Sequence, residues 1–143
     1  MIVSHTVDQT KQIAKALALE LKGGELITLR GDLGSGKTTF AQGLAESLGV
    51  KVRVNSPTFL VLKEYETDTN SPVKKIVHGD LYRLQSEQER ECIGLLELLK
   101  QKDNLVILEW PEKMGSLLPK KRIEVDFEYV NEEERKIIIT KYE

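Results

Sequence analysis

The apolar positions of this chain recur first at helical spacing, then in short uninterrupted runs, and finally at every second residue. Ile13, Leu17 and Leu21 are spaced by four residues. A capping box at residues 6–9 precedes them and two glycines at 23–24 follow them. This first segment is therefore predicted to be an amphipathic helix that ends at the glycines.

The next two predicted elements flank a glycine-rich loop. Residues 26–29 form an apolar run that predicts a strand. After the loop, apolar residues return on one helical face between Phe40 and Leu48, and Gly49 supplies a helix stop. A strand, a loop and a helix in this order direct a helix N-terminus toward an anion.

The middle of the chain contains four more segments with a predicted structure. Residues 60–65 favour extended structure, and residues 73–77 are expected to pair back onto them across a polar turn. Residues 50–54 are short and β-prone. A capping box opens the segment 86–100, which is predicted to be a helix.

The last third of the chain completes a sheet. Residues 105–108 are apolar without alternation, which predicts a strand buried on both faces. Residues 123–129 alternate apolar and acidic side chains, and residues 135–142 return after a turn, which predicts an antiparallel hairpin. We predict one α/β domain over residues 1–143: a P-loop NTPase-like mixed sheet flanked by helices, with antiparallel C-terminal strands.

Composition narrows the possible partners and compartment. With 21 Lys and Arg against 23 Asp and Glu, the formal charge is −2, so there is no global attraction to nucleic acid or anionic lipid. Cys92 is the single cysteine, which excludes an internal disulfide, and no signal core or long apolar stretch is present. We expect a cytoplasmic protein that does not insert into a membrane.

Residues 31–38 match the phosphate-loop pattern G-x-x-x-x-G-K-[ST]. In such a loop, backbone N–H groups hold the β-phosphate, the Lys37 ammonium reaches the β- and γ-oxygens, and the Thr38 hydroxyl ligates Mg²⁺. The pattern arises by chance in a chain of this length with a probability below about 1%. The alternative, a glycine-rich turn beside a surface lysine, does not account for the strand and helix that flank it.

Two acidic residues follow predicted buried strands. A phosphate loop requires an acidic residue at such a position to help hold Mg²⁺. Glu109 comes directly after the run 105–108, and Asp80 follows the segment 76–79. Ligands of open α/β sheets lie beyond the carboxyl ends of the strands, so either acid could hold the metal or its waters. Asp80 could instead cap the turn that follows it.

Four other features leave their roles open. The segment Ser56-Pro57-Thr58-Phe59 is either a neighbour of the phosphates or a plain strand-breaking turn. Trp110 favours packing over stacking on a base. His5 and His78 have no partner at metal-ligand spacing, which favours ordinary structural roles.

Four ordered motifs together resemble the TsaE (YjeE) family over nearly the whole chain. They are GDLGSGKTT at 31–39, SPTF at 56–59, HGDLYRL at 78–84 and EWPE at 109–112. The resemblance implies a bacterial P-loop ATPase that is required for the threonylcarbamoyl modification of adenosine in the anticodon loop of tRNAs.

The resemblance also implies a role for individual residues. Lys37, Asp80 and Glu109 would be catalytic, with Asp80 either metal-linked or the base. Thr38 and Glu109 would bind Mg²⁺, and Thr10 would lie beside the adenine. The ATP phosphates would be held by Gly34, Ser35, Gly36, Lys37, Thr38 and Thr39.

The implied partners are the TsaD and TsaB proteins, with any contact to tRNA indirect. The chain would not be the transferase; its ATP cycle would reset the partner complex. We expect slow hydrolysis by the protein alone, since beyond Lys37 the candidate transition-state cation is Arg83. A P-loop small-molecule kinase is the alternative, although no Arg-rich lid is present, and a GTPase is disfavoured because no N-K-x-D sequence occurs.

Overall fold

A mixed β-sheet with helices on its faces makes up the part of the chain that the structure, a computed structural model, describes: residues 2–32, 34–51, 62–68, 70–82 and 97–143. Helices α1 and α2 span Val7–Ala18 and Lys37–Ser47, and 3₁₀ turns span Pro111–Leu117. The strands are β1 (Ile2–Ser4), β2 (Leu26–Arg30), β3 (Leu62–Glu66), β4 (Lys75–Asp80), β5 (Asn104–Glu109), β6 (Arg122–Tyr129) and β7 (Arg135–Tyr142).

The sheet has the strand order β1-β7-β6-β2-β5-β4-β3 among the described residues. The four central strands, β6, β2, β5 and β4, are parallel to their neighbours in that group. Antiparallel strands flank them: β3 pairs with β4, β7 with β6, and β1 with β7. The predicted P-loop NTPase-like mixed sheet with antiparallel C-terminal strands is therefore confirmed.

Two apolar layers bury the central strands on both faces. One layer packs the inner sides of α1 and α2 against alternate residues of the sheet, with Phe40 and Phe127 in edge-to-face contact at 5.5 Å between ring centroids. The other layer covers Val106 and Leu108 with Met114 and neighbouring side chains. Burial on both sides explains why β5 carries four apolar residues without alternation.

Several expectations for individual elements can be compared with the structure. The pairing of residues 60–65 with 73–77 is confirmed where described, as the β3–β4 ladder. The first helix ends at Ala18 and not at the glycines, because the chain tightens there: the backbone N–H groups of Glu20 and Leu21 donate to carbonyl oxygens three residues before them. Strand β1 was not predicted at all.

Other expectations fall outside the described residues. These are residues 52–54 of the β-prone segment 50–54, the SPTF segment, Arg83, Cys92 and most of the helix predicted over 86–100. Residues 50 and 51 are described and are not in a strand, and residues 97–99 are helical. Within the ranges that are described, no helix has both the length and the apolar character needed to cross a membrane.

Helix α1 and helix α2 approach each other closely at Gly43. A Cβ atom added there would lie 2.9 Å from the Cα of Lys11 and 2.9 Å from the Cβ of Ala14. Such distances leave no room for a methyl group against the backbone of α1.

We predict that Gly43→Ala destabilises the protein by about 1–3 kcal/mol because it overpacks this contact. At an ordinary interior position of a helix the same change would stabilise by about 1 kcal/mol. Urea unfolding measures the difference, with Gln12→Ala on the exposed side of α1 as the control, expected within about 0.5 kcal/mol of wild type. Equal or greater stability of Gly43→Ala would contradict the close approach.

Candidate functional site

The loop between β2 and α2 adopts a backbone that glycine makes possible. Gly36 is the N-cap residue of α2 and has the left-handed conformation, with φ 107°. Gly31 has φ 151°, and a Cβ atom there would lie 2.7 Å from Ser35 Oγ and 2.8 Å from the carbonyl oxygen of Phe127. Both glycines are therefore required for the tight path of the loop.

The N-terminus of α2 carries no side-chain cap, in contrast to α1, where Thr6 Oγ1 accepts a hydrogen bond from the backbone of Gln9 at 3.0 Å. Ser35, just before this N-terminus, is 1% exposed, and its hydroxyl has no hydrogen-bond partner in the described part of the chain. An uncapped helix N-terminus and a buried unpaired hydroxyl both favour an anionic ligand that would satisfy them.

Lys37 is held at this helix end and is only 5% exposed. Its Nζ donates a hydrogen bond to the carbonyl oxygen of Gly31 at 2.6 Å and lies 4.1 Å from the ring centroid of Trp110. Burial lowers the pKa of the Lys37 ammonium, while Glu109 and Asp80 act in the opposite direction. Trp110 is thus a packing partner of the phosphate-loop lysine, and its ring also contacts Tyr82.

Asp80 and Glu109 end neighbouring parallel strands and lie directly opposite each other in the β4–β5 register. Glu109 is 3% exposed, whereas Asp80 is partly exposed. Asp80 Oδ1 also accepts a hydrogen bond from the backbone of Tyr82 at 3.0 Å, so this carboxylate caps the following turn, as its alternative role required. The geometry brings both acids together at the carboxyl edge of the sheet.

The environment of Asp80 disfavours its charged form. Burial raises the pKa of the Asp80 carboxyl, and the nearby Glu109 carboxylate raises it further. The hydrogen bond from the Tyr82 backbone and the charges of His78 and Lys37 oppose this rise in pKa without cancelling it.

A buried histidine contacts Glu109. This contact was not predicted from the sequence. His78 Nε2 lies 2.7 Å from Glu109 Oε2, and the two side chains are 1% and 4% exposed. The one signal in the sequence was that His78 precedes Asp80 by two residues, which places both on the same face of a strand. Nothing in the sequence indicated that the partner would be Glu109.

A cleft of about 380 Å³ joins these groups. The cleft is also lined by the end of β1 and the start of α1, by Glu132 and Glu133 in the turn between β6 and β7, and by Arg135 at the start of β7. Every predicted site residue except Ser35 lines it: Thr10, Gly34, Gly36, Lys37, Thr38, Thr39, Asp80 and Glu109. What these residues bind stays a prediction.

Two further hydrogen bonds connect residues that line this cleft. Thr10 is 5% exposed, and its hydroxyl lies 2.7 Å from Ser4 Oγ. Arg135 donates a hydrogen bond to the carbonyl oxygen of Gly34 at 3.4 Å, which links the start of β7 to the phosphate loop. The family resemblance implied Thr10 for this site, and nothing in the sequence indicated Arg135.

Oxygen donors for Mg²⁺ are present in the cleft, in the Thr38 hydroxyl and the Glu109 carboxylate. Across the described ranges, no group of three or more His, Cys, Asp or Glu side chains is arranged to hold a metal ion. Mg²⁺ usually takes one or two protein ligands and completes its octahedron with phosphate oxygens and waters, so these two donors fit the ion.

Comparison with known proteins gives a consistent family. The family model of the threonylcarbamoyl adenosine biosynthesis protein TsaE matches residues 4–137. The tRNA threonylcarbamoyladenosine biosynthesis protein TsaE of Bacillus subtilis is 41% identical over 133 residues, 93% of this chain and 80% of that protein. The protein of the same name from Rickettsia bellii is 39% identical, covering 98% of this chain and 96% of its own length.

A solved structure shares the fold described above. The crystal structure of Bacillus subtilis YdiB aligns with a TM-score of 0.74 at 30% identity, over 99% of this chain and 84% of that one.

We predict that Asp80→Asn raises the melting temperature at neutral pH in EDTA, because it removes a carboxylate whose charged form is disfavoured in the folded state. Because folding raises this pKa, wild type loses the corresponding stability as the pH rises, and the variant does not. This gap in melting temperature between the variant and wild type should therefore shrink as the pH falls and the wild-type carboxyl becomes neutral.

Thermal unfolding at several pH values measures this gap. Asp103→Asn, at an exposed position, is the control and should stay within about 0.5 kcal/mol of wild type. A gap that is absent at neutral pH, or that widens toward acid, would refute the stated environment of Asp80.

Proposed function

The chain belongs to the TsaE family of tRNA threonylcarbamoyladenosine biosynthesis, and we propose that it is the component of this machinery that binds and hydrolyses ATP. The observation that supports this most strongly is the uncapped N-terminus of α2, with buried Lys37 and the unpaired Ser35 hydroxyl beside it. An anionic ligand of phosphate type satisfies all three features.

In this proposal each predicted residue has a chemical task. Residues 34–39 bind the ATP phosphates through backbone N–H groups and side chains, and the Lys37 ammonium offsets charge on the β- and γ-oxygens. Thr38 and Glu109 would hold Mg²⁺, and the ion would neutralise negative charge on the phosphates. Asp80 would either have a metal-linked role or accept a proton from the attacking water.

The basic side chains of the cleft are the reason for proposing that a partner protein takes part in the reaction. Among the described residues, the basic side chains that line it are those of Lys37, Arg135 and His5, and Arg135 is engaged with backbone carbonyl oxygens of the turn and of Gly34. Transition-state charge in phosphoryl transfer is often met by a further arginine. We therefore propose that the TsaD and TsaB proteins complete the site and stimulate hydrolysis, and that the contact with tRNA is indirect.

We predict that Lys37→Ala lowers kcat/KM for ATP by about 100-fold or more, because it removes the buried cation nearest the phosphates. Colorimetric phosphate release measures the rate. Lys15→Ala, an exposed lysine on α1, removes the same charge away from the cleft and should leave the rate unchanged. Full activity of Lys37→Ala would exclude this loop as the site of hydrolysis.

The proposed function is tested by an ATPase assay with and without the TsaD and TsaB proteins. We expect slow turnover by the chain alone and at least a severalfold increase when both proteins are present. The Lys37→Ala variant with both partners is the background control. Rapid turnover that the partners do not change would contradict the proposal, as would stoichiometric phosphorylation of an added metabolite, which would show a kinase.

A further inference from the structure

Glu109, the buried acid of the cleft, has one carboxylate oxygen in a hydrogen bond inside the protein. Its Oε2 lies 2.7 Å from His78 Nε2, and both side chains are at most 4% exposed. A carboxylate that binds a metal ion only accepts hydrogen bonds, so in that state the His78 ring donates through Nε2–H. The mechanism proposed above does not use this histidine.

The other ring nitrogen of His78 makes the hydrogen bond to Glu109 stand out. His78 Nδ1 is buried and has no hydrogen-bond partner within the described ranges. A buried ring nitrogen without a hydrogen bond lowers the stability of the fold, so its presence calls for an explanation. Within the described ranges, the one hydrogen bond of this ring is to Glu109, in the neighbouring parallel strand.

We propose that His78 is a positioning residue that fixes the Glu109 carboxylate, so that its other oxygen, Oε1, is presented to the magnesium ion of a bound nucleotide. This inference rests on the proposed function. A carboxylate held by one hydrogen bond to a buried ring cannot rotate freely, which lowers the entropy lost when the metal binds.

The same pair could serve only to join β4 to β5. That role predicts a loss of stability on substitution and no specific change in metal affinity. The two roles are therefore separated by measuring Mg²⁺ affinity alongside stability, and not by activity alone.

The experiment uses calorimetric titration of Mg²⁺ into the full chain saturated with ADP, together with ADP binding in EDTA and thermal unfolding. His78→Leu removes the donor, and His78→Gln keeps an amide N–H as a donor in case the leucine variant does not fold. Val77→Ala is the matched control, since Val77 is buried on the opposite face of the same strand.

We expect His78→Leu to weaken Mg²⁺ binding about 10-fold, the usual range for loss of a residue that orients a metal ligand. ADP affinity in EDTA should stay within about twofold, and His78→Gln should recover part of the Mg²⁺ affinity. Val77→Ala should lower the melting temperature without this change. In a Glu109→Gln background, His78→Leu should cause no further loss of Mg²⁺ affinity.

Unchanged Mg²⁺ affinity in folded His78→Leu would overturn the positioning role and leave the proposed ATPase standing, as would a loss of affinity in His78→Gln as large as that in Glu109→Gln. An equal loss in Val77→Ala would also overturn it, because the effect would then follow stability. Failure of wild type to bind ADP at all would instead overturn the proposed function, and this inference with it.

Discussion

The site depends on the parallel alignment of three neighbouring strands. Strand β5 lies between β2 and β4 and is parallel to both, with Glu109 opposite Leu29 on one side and Asp80 on the other. Parallel strands end at the same edge of a sheet, so the loop that leaves β2 and the acids that end β4 and β5 meet there. The sheet topology thereby brings together residues that are up to about 80 positions apart in the chain.

That alignment also buries charge, which affects both stability and chemistry. Lys37 and Glu109 are each at most 5% exposed, and Asp80 has a raised pKa because it is partly buried beside another carboxylate. Desolvated charges of this kind cost stability unless they are paired. In the described structure the pairing comes from Gly31 and Trp110 for Lys37, and from His78 for Glu109. A nucleotide with its metal would add opposite charge to the same groups.

Much of this could be predicted from sequence because the signals are local. The strand and helix around the phosphate-loop pattern, the apolar run of β5 and the alternation in β6 are each encoded within one segment, and their secondary structure was predicted correctly. The pairing of His78 with Glu109 could not be predicted, since it depends on which strands become neighbours. Strand β1 was missed because three residues are too few for a pattern, and its apolar residues Ile2 and Val3 are partly exposed.

The most direct test of the account is a crystal structure of this chain grown with ADP and magnesium. We predict that the β-phosphate lies against the backbone of residues 34–39 at the N-terminus of α2, with the metal on the side of Thr38 and Glu109. A nucleotide bound elsewhere, or a bound nucleotide with the carboxylates of Glu109 and Asp80 turned away from it, would contradict the account.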